Sequence, residues 1–167
     1  MLFGREFLQL QNTHAAIESY RRAVDLDRND YRGWYGLGRT YENLDLCDHA
    51  LYYYSRAAIL RPNDEEMWQA LGACFSKVEK PNGAMKALKR ALVAVDLDSS
   101  PKISYQIALL YNQMGNRTEA IAYMQLCLVS CENLLDRRDE DERDTEAVNN
   151  TIRNAQMSLA EWTVESA

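Results

Sequence analysis

Two histidines, four cysteines and 25 carboxylates are the side chains through which this 167-residue chain could bind a metal or move a proton. His14 and His49 each fall near the start of a helical pattern, and neither has a second ligand one turn away as a helical zinc site needs. Both are read as interface or surface histidines. Cys127 and Cys131 are one helical turn apart and could offer two thiolates, but no third or fourth ligand lies near them in sequence. With Cys47 and Cys74 they sit among apolar or small residues, form no Cys-x-x-Cys pair, and are read as buried, reduced thiols of an intracellular protein. No Gly-x-x-x-x-Gly-Lys, Gly-x-Gly-x-x-Gly or Gly-x-Ser-x-Gly stands between a strand and a helix, and Gly33, Gly36 and Gly38 read as packing glycines. Nothing pushes two carboxylates into one apolar pocket where their pKa values would separate. Catalytic residues, metal ligands and cofactors are therefore not expected, and the chain reads as a non-enzyme.

Charge narrows the partners. The net charge is −6, from 25 acidic and 19 basic side chains, so no polycationic surface exists to displace counterions from a phosphate backbone. Nucleic acid is excluded as a partner. Between Asp136 and Glu146 seven acids stand against three arginines, which leaves the remainder nearly neutral. No apolar run reaches the roughly eighteen residues that cross a bilayer, and the start from Met1 to Glu6 lacks a basic flank followed by an apolar stretch. A soluble, untargeted chain with no membrane partner is expected.

The elements that carry these residues follow from a repeat. Apolar residues are 47% of the chain, and Gly and Pro number only seven and three, a composition suited to packed helices. Trp34, Leu37, Gly38, Tyr41, Ala50, Tyr54 and Ala57 recur after a period of 34 as Trp68, Leu71, Gly72, Phe75, Ala84, Leu88 and Ala91. Pro62 is replaced by Asp96. Shifted backwards, the period finds Gly4, Phe7, Ala16, Tyr20 and Ala23. A two-residue insertion near Ser99 and Ser100 restores the register for Ile107, Ala108, Tyr111, Gly115, Ala120, Met124 and Cys127.

Within each unit a large residue and a small one four positions on, Trp34 and Gly38 or Trp68 and Gly72, share a helix face, so a neighbouring helix can approach closely. Pro62 stops one helix and Asn63 or Asp64 can cap the next; Ser100 before Pro101 is a similar start. The pattern predicts helices near 1–11, 13–27, 31–44, 47–60, 65–78, 81–95, 101–114 and 117–134. The fold class is all-α. Residues 135–144 lack apolar periodicity and are expected to form an acidic loop. The pattern returns in 145–167 with Val148, Ile152, Ala155, Leu159 and Trp162, read as the first helix of an incomplete repeat whose apolar face awaits a mate, so some self-association is expected. Of the three consecutive tyrosines, Tyr54 fills a packing position, while Tyr52 and Tyr53 are open to either rim packing or a partner.

This 34-residue pattern, over residues 1 to about 134, resembles the tetratricopeptide repeat, which implies antiparallel helix pairs stacked into a right-handed α-solenoid. The stretches Asn29 to Glu42, Ala50 to Ala57 and Leu60 to Asp64, with Asn12 to Ile17 and Tyr20 to Ala23 upstream, go beyond the generic repeat. They resemble the C-terminal repeats of the cell division cycle protein 23 family, scaffold subunits of the anaphase-promoting complex. The resemblance implies a non-catalytic scaffold of a ubiquitin ligase acting in mitosis in the nucleus and cytoplasm. Its partners would be other subunits of that complex and its coactivator. Another tetratricopeptide adaptor, such as a chaperone-associated one, is the alternative. Because the repeats begin and end part-way, a fragment of a longer protein is expected.

First helices of such repeats line a groove. Positions counted from the packing Trp place Arg32, Tyr35, Gly36, Arg39, Glu42 and Asn43 on it, then Gln69, Ala73, Ser76 and Lys77, then Tyr105, Gln106, Leu109 and Asn112. A wall mixing charge, amide and aromatic groups suits an extended peptide with few anchors. Tyr35 and Glu42 are expected to lie outside the packing positions. Paired Lys-x-x-x-Asn on successive first helices is absent, which disfavours a clamp for a C-terminal carboxylate.

Overall fold

The computed structural model describes the backbone of residues 2–94, 100–137 and 142–164 and the side chains of 12–94, 100–136 and 145–163. Among the described residues the chain is wholly helical: α1 Leu2–Leu26, α2 Tyr31–Asn43, α3 Cys47–Leu60, α4 Glu65–Lys77, α5 Pro81–Ala94, α6 Pro101–Gln113, α7 Arg117–Arg137 and α8 Glu142–Val164. These form two compact units, Met1–Ala84 and Met85–Ala167.

The boundaries have local causes. Asp30 and Asp64, 34 residues apart, each accept a bond at the helix N-terminus, from the backbone N–H of Arg32 at 3.0 Å and of Glu66 at 3.1 Å, satisfying donors the helix itself cannot. Pro101 opens α6 at a position where its missing N–H costs nothing. Inside each repeat the turn between helices uses one left-handed residue: Asp45 at φ 58°, Glu79 at 55° and Gly115 at 77°. The same bond closes each turn, from Leu46 N–H to Tyr41 O, Lys80 N–H to Phe75 O and Asn116 N–H to Tyr111 O, at 2.9–3.0 Å. Their spacings reproduce the period of 34 and then the two-residue insertion.

Three sequence expectations change. The break between 11 and 13 does not occur, because Gln11 to His14 holds no Gly or Pro and α1 runs through it. Of the acidic segment 135–144, residues 135–137 extend α7 and 142–144 open α8, while 138–141 lie outside the described residues. Trp162 is not left for a mate: it is buried within its own unit, in a cluster with Met124, Cys127, Cys131 and Ala155, so α8 closes the α6–α7 pair.

Close approach of helices in the first unit rests on glycines. A Cβ on Gly38 would lie 2.5 Å from the Tyr54 ring, one on Gly36 2.5 Å from Tyr20, and one on Gly33 2.8 Å from Val24. All three are packing glycines, and Gly36 therefore turns towards α1 rather than lining a groove. The core of this unit is Leu37, Ala50, Tyr54, Ala57, Met67 and Leu71. Trp34 and Trp68 stand at its edge, and each indole N–H donates to a carbonyl six residues back, Arg28 O and Pro62 O, both at 2.9 Å.

Candidate functional site

In the first unit, α2 and α4 both pack on α3 and are joined to each other by two side-chain bridges. The Tyr35 hydroxyl donates to Glu66 Oε1 at 2.8 Å, and Lys77 Nζ donates to Glu42 Oε1 at 3.0 Å. The other oxygen of Glu42 accepts from the Tyr54 hydroxyl at 2.8 Å. Glu42 is thus the shared acceptor of α3 and α4, with a side chain 22% exposed. The expectation that Tyr35 and Glu42 stand outside the packing fails here. Tyr35 is half-buried, with its ring centroid 5.4 Å from that of Tyr54, because the residue after a packing Trp is only about 100° round the helix from it.

Electrostatics follow this geometry. Burial, then the bond to Glu66, pushes the Tyr35 phenol up to about 12. Burial, then Glu42, raises the Tyr54 phenol further. The bond to Glu42 raises Lys77. Hydrogen bonding from Arg32 holds the Asp30 carboxyl below its usual range, so Arg32 is committed to the α2 cap through Asp30 at 2.9 Å. Arg39 and Asn43 are exposed on the same helix and Gln69 is half-buried on α4. Among the described residues Arg39 makes no ion pair, and it stands exposed, whereas Lys77 is paired with Glu42.

Tyr105, Gln106 and Asn112 belong to α6, in the second unit. Tyr105 packs against that unit's core cluster. Gln106 is half-buried, and its carbonyl oxygen is enclosed without a hydrogen-bond partner among the described residues. Asn112 is half-buried, and its backbone carbonyl accepts from Gly115 in the turn after α6. Ser104, also enclosed without a partner for its hydroxyl, takes the position that Trp34 and Trp68 hold in the earlier repeats.

The sequence reading missed Glu66 as a partner of Tyr35. It also left Tyr52 and Tyr53 open, which the structure divides: Tyr53 stacks on Tyr41 at 5.2 Å and 5°, and Tyr52 stays 55% exposed. All four cysteines are free and buried. Among the described residues no group of three His, Cys, Asp or Glu is placed to hold a metal, and no helix is long and apolar enough to cross a membrane.

No curated protein sequence matches the chain. Solved structures similar to it include a crystal structure of MamA, with TM-score 0.69 and 20% identity over 97% of this chain and 82% of that one. PcrH in complex with the chaperone-binding region of PopD has TM-score 0.68 and 16% identity, over 81% of this chain and 92% of that one. The Yersinia enterocolitica type III secretion chaperone SycD, in complex with a peptide of the translocator YopD, has TM-score 0.58 and 17% identity, over 76% and 92%. At such identities the likeness is one of fold. Tetratricopeptide-repeat models match residues 1–65 and 101–129, more than half of the chain together, and with the 34-residue turn geometry they establish that it belongs to the tetratricopeptide-repeat family.

Proposed function

We propose that this chain is a non-catalytic adaptor that holds an extended protein segment along the α2–α4 face, with Arg39, Asn43 and Gln69 as its polar contacts and the exposed part of Tyr35 as a flat anchor. The observation that carries this is the division of labour on α2. Arg32 is tied to the cap and Glu42 to Tyr54 and Lys77, yet Arg39 stands exposed between the two bridges, where repeat packing gives it no task. A guanidinium there takes a carboxylate or a backbone carbonyl of a bound segment. The partner segments on PcrH and SycD support a peptide-holding use of the same fold and favour the alternative of a chaperone-type adaptor.

The more specific reading is a scaffold subunit of the anaphase-promoting complex, working in the nucleus and cytoplasm during mitosis, with coactivator or neighbouring subunits as partners. Its support is the resemblance of residues 12–64. A pull-down from mitotic extract with the whole chain, read by mass spectrometry beside an Arg39→Glu variant, tests both levels. Recovery of ligase subunits that Arg39→Glu abolishes supports the specific reading. Recovery of other partners, lost in the same variant, leaves the adaptor and removes the ligase. Partners retained by Arg39→Glu place binding off this face.

A further inference from the structure

Tyr54 points into the core of the first unit, and about 200° round α3 from it Tyr52, Arg56 and Ile59 form an exposed stripe at i, i+4 and i+7. Tyr52 is 55% and Ile59 67% exposed, and neither belongs to the α2–α4 face. Beside this stripe a cavity of about 430 Å³ opens between α3 and the C-terminal end of α1, with Trp34 in its wall. It is within the size range of small binding pockets. Val24 and Leu60 complete the apolar lining, and Arg28, Asn29 and Asp25 stand at the edge.

The charges around this cavity select its occupant. The Arg56 guanidinium lies over the Trp34 ring, 5.5 Å from the centroid, so the ring face that would attract a foreign cation already has one. Arg28 is the second cation, held near by the bond from the Trp34 indole to its carbonyl. Among the described residues neither arginine has an ion pair. The carboxylates of this stretch are largely committed: Asp30 to Arg32 and Asp27 to the Asn29 backbone N–H at 2.9 Å. Asp25 is the single carboxylate in the cavity lining, against two guanidiniums. Outside residues 136–146 the chain is nearly neutral, so two guanidiniums without ion pairs beside an apolar lining make this a local site where an anion is favoured.

We propose that this cavity is a second docking site, for a protein segment in which a large apolar or aromatic side chain is followed by an acidic residue. The apolar side chain enters against Trp34, Tyr52 and Ile59, and the carboxylate bridges Arg28 and Arg56. Asn29, with an amide that both donates and accepts, meets the segment's backbone. The site is independent of the α2–α4 face, since the two surfaces lie on opposite sides of α3, and a single chain can hold two partner segments at once.

The test uses the whole chain and four nine-residue Gly/Ser peptides carrying Phe-Glu, Phe-Gln, Phe-Lys or Ala-Glu at the centre, titrated while the three tryptophan indole N–H resonances are followed by NMR. The Phe-Glu peptide is expected to shift Trp34 alone and to bind about tenfold more tightly than Phe-Lys or Ala-Glu, with Phe-Gln between. Arg56→Ala and Arg28→Ala, both exposed changes, should each remove the preference for Glu over Gln. Ile59→Ser should weaken every Phe peptide alike. Equal affinity for Phe-Glu and Phe-Lys, a shift of Trp68 or Trp162 in place of Trp34, or no shift at millimolar peptide would each overturn the proposal.

Discussion

Gly36 and Gly38 offer a controlled comparison of what makes a helix crossing intolerant. A methyl group on either would stand 2.5 Å from a tyrosine ring, so clearance alone predicts the same cost. The two rings differ in freedom. Tyr20 is 39% exposed and can swing towards water when pushed. Tyr54 is 1% exposed, and its hydroxyl is held by Glu42 at 2.8 Å with the Tyr35 ring alongside. A ring displaced by roughly 1 Å would exceed the range of that bond.

Gly36→Ala gains about 1 kcal/mol in helix propensity and loses a similar amount in displacing Tyr20, so its net effect should be within about 0.5 kcal/mol of zero. Gly38→Ala gains the same propensity but meets about 1–3 kcal/mol of overpacking. It also puts at risk a charge-assisted hydrogen bond contributing about 1.5–3 kcal/mol. A net loss of about 1.5–5 kcal/mol follows. Urea unfolding followed by far-UV circular dichroism measures both variants. Adding Tyr54→Leu to Gly38→Ala should recover part of the Gly38→Ala loss. The second unit carries that compensation itself, since a buried Ala108 and a buried Met124 share one core cluster at the equivalent positions. Equal losses in the two alanine variants, or a Gly38→Ala protein as stable as the parent, would show that ring freedom does not set the cost.

Other outcomes follow from the same contacts. Glu42→Ala should destabilise by about 1–3 kcal/mol by leaving the Tyr54 hydroxyl buried and unpaired, whereas Lys77→Ala, at the exposed end of the same bridge, should cost under about 1 kcal/mol; thermal melting separates them. Glu79→Gly relieves a left-handed residue and should raise stability by about 1 kcal/mol, while Gly115→Ala should lower it by a similar amount, both read by urea midpoint. Because the Tyr35 phenol is raised to about 12, its stabilisation is complete below the unfolded value near ~10 and fades as pH rises through the folded one; Tyr35→Phe should flatten the fall of melting temperature in that window. The Cys74 and Cys127 thiols, raised to about 12 chiefly by burial, should resist iodoacetamide at pH 8 until urea unfolds the chain.

Whatever repeats with the period was legible in the sequence. Gly38, Ala50, Tyr54 and Ala57 were readable as crossing residues because periodicity reports which face is buried, and all four are buried. Of the three left-handed turn residues only Gly115 is of a type that takes that conformation freely, and Asp45 and Glu79 give no comparable composition signal. Groove residues were harder. A position on the exposed arc of one helix says nothing about the neighbouring helix, and that neighbour decides whether a side chain is free. Tyr35 and Arg39 were placed on one wall by the same count from Trp34; α4 supplies Glu66 to the first, and among the described residues it supplies no ion-pair partner to the second.

The tryptophans show where this limit lies. Trp34 and Trp68 read from sequence as large packing residues, yet each also fixes the loop before its helix through an indole bond to a carbonyl six residues back. The first of these bonds holds Arg28 beside the ring that Arg56 covers, so a residue fixed by the repeat also shapes the cavity on α3's outer stripe. At the corresponding place in the fourth repeat Ser104 can provide neither the ring nor the long-reaching N–H. An indole-lined cavity of this kind therefore cannot form at Ser104, and any apolar-acidic docking built on Trp34 is confined to repeats that keep the tryptophan. A Trp34→Phe variant isolates the two roles: the ring keeps the apolar wall while the bond to Arg28 is lost. Weakened selection for Glu over Gln with retained Phe binding would show that the indole N–H acts by positioning Arg28, and unchanged selection would show that Arg56 alone reads the acid.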